Sequence, residues 1–201
     1  MDDIIDRNAR AVQGSARAVA GVREPDLSKP TPCAGWTLAD LLGHMIVQHR
    51  GFAAAAAGDG ADLCHWQGAP LDPLLLVTEY KRAAAEVMVA FAAPGVLDRQ
   101  FALPEISAQL LFPARQAIGF HLVDYVVHGW DVAQALGLRY HVDADVLDEA
   151  LLIALAVPDD EERRRGPGAP FAPRLQAAGD RPLDRVLTLL GRNPAWPAGR
   201  A

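Results

Sequence analysis

Phe120-His121-Leu122-Val123-Asp124-Tyr125-Val126-Val127-His128-Gly129-Trp130-Asp131 threads four polar residues through an apolar run. His121, Asp124, His128 and Asp131 follow the spacing i, i+3, i+7, i+10, which a helix gathers into one stripe. Burying two imidazoles and two carboxylates beside Leu122, Val123, Val126 and Val127 costs several kcal/mol in desolvation unless a partner or an ion compensates. Asp124-x-x-x-His128 sets two ligand-type side chains one turn apart, where both can reach one divalent cation. An Asp–His hydrogen-bonded pair in a bundle core fits the same spacing, so the motif alone leaves both readings open.

This run falls inside a predicted helix over 114–136, with Gly137 as its C-terminal stop. Upstream, Ile4, Ile5, Ala9, Val12, Ala16 and Val19 predict an amphipathic helix over 3–20. A loop with three prolines, residues 24–35, follows it. Thr37-Leu38-Ala39-Asp40 has the form of a capping box and opens a second helix running to 57. Leu41, Leu42, Met45, Val47 and Phe52 are its expected packing residues. Pro73 opens a third helix toward Phe91, which Ala93-Pro94-Gly95 stops. The stretch around Gln100-Phe101-Ala102-Leu103-Pro104 is too short to assign as strand or loop. A helix over 142–156, capped by Asp143 or Asp145, and a last helix over 183–190 complete the chain. The expected fold is all-α: an up-and-down four-helix bundle over 1–157, with residues 158–201 as a C-terminal extension carrying short extra helices.

Composition bounds the function. The chain has 201 residues, enough for a sizeable core, with 51% hydrophobic and 22% charged residues. A net charge of -6 without a long basic run argues against a nucleic-acid partner. Arg163-Arg164-Arg165, following Asp159-Asp160-Glu161-Glu162, reads as a solvated and locally balanced loop. The N-terminus lacks the basic head and apolar run of a secretory signal, and no segment is suited to span a membrane. A cytoplasmic location is expected, with Cys33 and Cys64 as reduced thiols.

His44 is the next candidate ligand, since its helix can face the fourth helix and Gln48 lies one turn further on the same side. A core histidine bonded to a backbone carbonyl is the competing reading. His49 is one position off that face, while His65 and His141 fall in or beside loops. His121 has three open roles: fourth ligand, proton carrier, or a donor behind the ligands. Asp131 could orient His128, neutralise an arginine, or fix local helix geometry.

Thr31-Pro32-Cys33-Ala34-Gly35-Trp36-Thr37-Leu38-Ala39-Asp40-Leu41-Leu42-Gly43-His44 resembles the opening motif of the DinB-like metal-binding superfamily, in the branch named for mycothiol-dependent maleylpyruvate isomerase. The segment from Phe120 to Asp124 and on through His128-Gly129-Trp130-Asp131-Val132-Ala133 is similar to its second motif. Leu190-Gly191-Arg192-Asn193-Pro194-Ala195-Trp196 resembles the ending of its short members. The resemblance implies a DinB-like bundle holding one divalent metal, usually zinc, through His44, Asp124 and His128. The isomerase has glutamate at the acidic position, whereas this chain has Asp124, one methylene shorter. The chain also lacks the length for that enzyme's separate C-terminal domain, so the maleylpyruvate reaction itself does not carry over.

Three protein ligands leave a fourth position on a zinc ion for water, substrate or thiol. The resemblance makes mycothiol the expected thiol and implies a metal-dependent enzyme. Such an enzyme would carry out S-transfer to, or thiol-assisted isomerisation of, a small electrophilic molecule. In that reading His121 is the expected proton-transfer residue and Gln48 a contact for substrate or metal-bound water, both catalytic. Trp36 and Trp130 are expected to pack around the site. Two alternatives remain: a hydrolase working through a metal-activated water, and a metal- or ligand-binding bundle without turnover. A small-molecule substrate and the thiol are the expected partners, and a homodimer stays open.

Overall fold

The computed structural model describes residues 3–68, 71–160, 164, 171–176 and 179–197. Its helices are α1 (Asp3–Val19), α2 (Leu38–Ala57), α3 (Leu76–Phe91), α4 (Ala114–Leu136), α5 (Ala144–Ala156) and α6 (Pro182–Leu189). α1 lies along α4 and α2 along α3, while α5 packs on α4 and α6 on α5. Among the described residues the bundle is all-α apart from one two-stranded ribbon. No helix among the described residues is long and apolar enough to cross a membrane.

α4 is the central helix. From Ala117 to Ala133 every residue except Phe120 and Asp124 is buried, so neighbours cover the helix on nearly all sides. That environment explains its mixed sequence. Leu122, Val123, Val126 and Val127 fill the core, while the polar stripe must find partners inside the protein. Gly137 ends the helix at φ 69° and ψ 27°, its N–H reaching the carbonyls of Ala133 and Gln134. α2 begins as its capping box predicts: Thr37 accepts from the Asp40 N–H, and Asp40 accepts from the Thr37 N–H at 2.9 Å.

Several expectations change in detail. Pro73 opens a 3-10 turn over Pro73–Leu75, capped by Asp72, before α3 begins at Leu76. Gln100–Ala102 and Leu111–Pro113 form β1 and β2, an antiparallel pair with Phe101 opposite Phe112. Asp143 occupies the cap position of α5, but it caps nothing with its side chain and instead accepts from Arg10 at 3.0 Å. Val47 is half-buried rather than a core residue. The largest correction is Arg164, expected in solvent. It is buried and donates to the carbonyls of Pro158, Ala172 and Leu189 at 2.7, 3.0 and 3.2 Å. Three carbonyls use the fork that a loop reading leaves to water. Glu161, Glu162, Arg163 and Arg165 lie outside the described residues. The later segment joins the main core, with Val186, Leu187 and Leu190 packed among the same residues as Val123 and Val126.

Gly129, in the motif after His128, marks the closest approach to α4. A Cβ there would sit 2.2 Å from the Tyr140 hydroxyl and 2.9 Å from the Ser15 Cβ. Because nothing intervenes, Tyr140 donates to the Tyr125 carbonyl at 3.3 Å. Gly129→Ala should therefore destabilise the protein by about 1–3 kcal/mol through overpacking, although alanine is the better helix former. Chemical denaturation measures this, and an unchanged or raised midpoint would contradict the close approach.

Candidate metal centre

The loop before α2 is held by its own backbone. Thr31 N donates to the Trp36 carbonyl and Trp36 N to that of Cys33, at 3.1 and 3.0 Å. With the capping box, this fixes where α2 starts and so the face on which His44 emerges. The Trp36 ring lies against it, centroids 4.9 Å apart, and His44 meets His128 edge-on at 5.2 Å. His128 Nε2 lies 3.3 Å from Asp124 Oδ1. One ligand atom from each of His44, Asp124 and His128 comes within 4.8 Å of the other two. Two nitrogens and one carboxylate oxygen, borne by two facing helices, form a set suited to a divalent cation of the zinc type.

Behind His128 the stripe continues into a second layer. Asp131, fully buried, accepts from His128 Nδ1 at 3.0 Å and pairs with Arg192 Nε at 3.2 Å. Asp131 thus orients the imidazole and neutralises an arginine at once, two roles the sequence offers as alternatives. With Nδ1 donating, Nε2 faces Asp124 and His44. The electrostatics follow the geometry. Burial disfavours charge on His128, but Asp124 and Asp131 outweigh it and raise its pKa to about 9. Burial would raise the Asp124 carboxyl, yet His128 beside it brings it down to about 2. Burial and the neighbouring His128 push His44 down to about 4.

A cavity of about 830 Å³ adjoins this group on the side of His44. Trp36, Gln48, Trp66 and Glu105 are among its walls, and Gln48 donates to the Glu105 carboxylate. The expected contact residue Gln48 therefore faces the space a small molecule would use, paired with a carboxylate from the loop after β1. Glu105 has no sequence signal of its own. Trp36 lines this space, while Trp130 is a buried core residue.

His121 lies elsewhere. Fully buried, it contacts Asn8 Oδ1 through Nδ1 at 2.8 Å and His49 Nδ1 through Nε2 at 3.1 Å. His49 stacks on Tyr125 with centroids 3.8 Å apart, and His121 stacks on the same ring at 4.3 Å. Both nitrogens of His121 are engaged and it has no exposed surface, so the expected proton-transfer residue sits inside the core rather than on the wall of the cavity. Burial lowers the His121 pKa to about 3 and pushes His49 well below its ordinary value. His49, one position off the ligand face, points into this array. Asn8 is the partner the sequence hides, being an ordinary polar residue of α1.

The remaining candidates stay apart. His141 is highly exposed. Asp62, Cys64 and His65 gather on the exposed turn after α2, where Asp62 caps the Cys64 N–H and His65 pairs with Asp59 at 2.8 Å. Cys33 accepts from Arg192 Nη2 at 3.4 Å, and burial raises its thiol to about 11.

Comparison with known proteins gives this arrangement its class. The profile of the family described as mycothiol maleylpyruvate isomerase N-terminal domain matches residues 9–133, and the chain belongs to that family. Two uncharacterized proteins of Mycobacterium tuberculosis, MT0763 and Rv0738, are each 33% identical to it over 190 residues, covering 91% of this chain and 94% of their own length. Among solved structures, the mycothiol-dependent maleylpyruvate isomerase and a histidine-to-alanine mutant of it share the fold, with TM-scores of 0.54 and 0.60. Each is 13% identical, and the match covers 82% of this chain and 70% of that one. The fold is thus that of the DinB-like mycothiol isomerase branch.

The neutral His49–His121 pair generates a pH dependence of stability. Both pKa values are depressed in the folded protein, so below about pH 6.5 the unfolded chain binds protons that the native core refuses, and stability falls with pH. The His121 share amounts to about 2–3 kcal/mol between roughly pH 7.5 and 4.5. Urea unfolding across that range should give a shallower slope for His121→Phe, by about one proton. An identical slope would contradict the buried neutral assignment.

Proposed function

We propose that this chain is a metal-dependent enzyme that uses a low-molecular-weight thiol, mycothiol by its family, for S-transfer to or isomerisation of a small electrophilic molecule. The observation that carries the reading is the convergence of His44, Asp124 and His128 beside a large cavity. Zinc is the proposed metal, matching two imidazoles and one carboxylate with a coordination position left over. When bound, such a cation lowers the pKa of a thiol brought to it and stabilises the thiolate.

The chain's own residues supply the rest. His44 and His128 present nitrogens and Asp124 an oxygen, with Asp131 holding the His128 ring. Engagement of His121 by Asn8 and His49 supports an open rather than a closed ligand set. Neither protein thiol is a persuasive nucleophile: Cys33 is held protonated by burial, and Cys64 bonds to Asp62 on an exposed turn. An external thiol fits better. Gln48 and Glu105, hydrogen-bonded to each other in the cavity wall, orient polar groups of the substrate. Residues 158–201 act in this reading as an extension of the bundle of 1–157 rather than as a separate domain.

The test uses cobalt-substituted protein carrying Cys64→Ser, so that the exposed turn contributes no sulfur. Adding mycothiol should produce a sulfur-to-cobalt charge-transfer band, and an electrophile panel should then yield thiol adducts or isomers detected by mass. His128→Ala should lose the metal while retaining most helicity, because the apolar faces sustain the bundle. An unchanged cobalt spectrum at saturating thiol, with hydrolysis of a small ester, amide or lactone, would replace this reading with a hydrolase.

A further inference from the structure

Among the described residues after α6, Arg192 reaches back to the candidate centre. Arg192, 6% exposed, directs its Nε to both oxygens of Asp131, at 3.2 and 3.3 Å. Its Nη2 donates to Cys33 Sγ at 3.4 Å. These two contacts lead to both halves of the ligand set. Asp131 holds His128 Nδ1 on α4, while Cys33 belongs to the loop whose Trp36 packs on His44 of α2. Gly191 shapes the approach, turning the chain at φ +74° where a Cβ would meet Ala172 at 2.6 Å.

We propose that Arg192 is a positioning residue of the metal centre, clamping Asp131 and the Cys33–Trp36 loop so that His128 and His44 present their nitrogens to one ion. The inference rests on the metal reading above. It assigns a role to the C-terminal segment, whose described residues add none to the His44, Asp124 and His128 group. The physical need is plain. Asp131 has no exposure to water, and one imidazole N–H does not match a buried carboxylate charge; a guanidinium brings a fixed positive charge, its Nε shared by both carboxylate oxygens while its Nη2 holds Cys33 Sγ from the same rigid plane. Relieved of that need, Asp131 stays fixed in the position from which it can hold the His128 ring. Outer partners of this kind set the orientation and basicity of metal-bound imidazoles.

The test compares wild type with Arg192→Leu and Arg192→Lys, measuring cobalt affinity by competition with a chelator, the cobalt d–d spectrum, and helicity. Arg192→Leu should keep its helical signal, weaken cobalt binding by about ten- to hundredfold and alter the d–d bands. Arg192→Lys keeps the charge but loses the fork, so it should recover part of the affinity and retain a perturbed spectrum. Should Arg192→Leu fail to fold, the lysine variant decides alone: weakened binding with a changed spectrum supports the clamp. A folded leucine or lysine variant with wild-type affinity and spectrum overturns it. Wild-type protein that binds no cobalt overturns the metal reading itself, which separates the two failures.

Discussion

Asp131 carries a charge that the bundle cannot leave unmatched. It lies where water does not reach, and an isolated carboxylate there would cost more than any one packing contact returns. Two groups answer it from opposite directions, His128 three residues earlier on α4 and Arg192 sixty-one residues later. Matching this charge ties the C-terminal segment to the central helix and turns one nitrogen of His128 toward Asp124 and His44. The ligand-type group is thus the outer face of a network whose inner face is electrostatic.

A second polar array lies on the same helix and behaves in the opposite way. His121, His49 and Asn8 are joined by hydrogen bonds to one another, and burial outweighs the pull of Asp124 on His121 and keeps the imidazoles neutral. His128, flanked by two carboxylates, favours a positive charge or a cation instead. One helical stripe therefore divides into a charge-seeking site and a charge-refusing core. Asp124 and His121 lie three positions apart, close to one turn, and what differs is the element each side chain meets.

That division sets the limit of what the sequence discloses. Elements governed by local chemistry are legible: the Thr37–Asp40 cap, the Gly137 stop and the full extent of α4 follow from neighbouring residues. That His44, Asp124 and His128 lie together is legible as well, because helical spacing pairs Asp124 with His128 and the family motif on α2 adds His44. Partners that depend on tertiary packing are not. Asn8 looks like any polar residue of an amphipathic helix, and Glu105 sits in an unpatterned loop. Arg192 belongs to a motif whose purpose appears only when the chain end meets α4, and Arg164 looks solvated until three carbonyls surround it. His121 shares the stripe's spacing with the ligands, yet spacing cannot show that α1 and α2 supply it with partners of its own.

In the proposed site His44, Asp124 and His128 bind one divalent ion and leave a position open. X-ray absorption spectroscopy of the zinc-loaded protein tests it most directly. The expected spectrum has two imidazole nitrogens and one carboxylate oxygen among scatterers at about 2.0–2.2 Å, with one exchangeable light atom that a thiol replaces by sulfur at about 2.3 Å. A first shell without imidazole scattering, or one unchanged when any of the three residues is substituted, would contradict it.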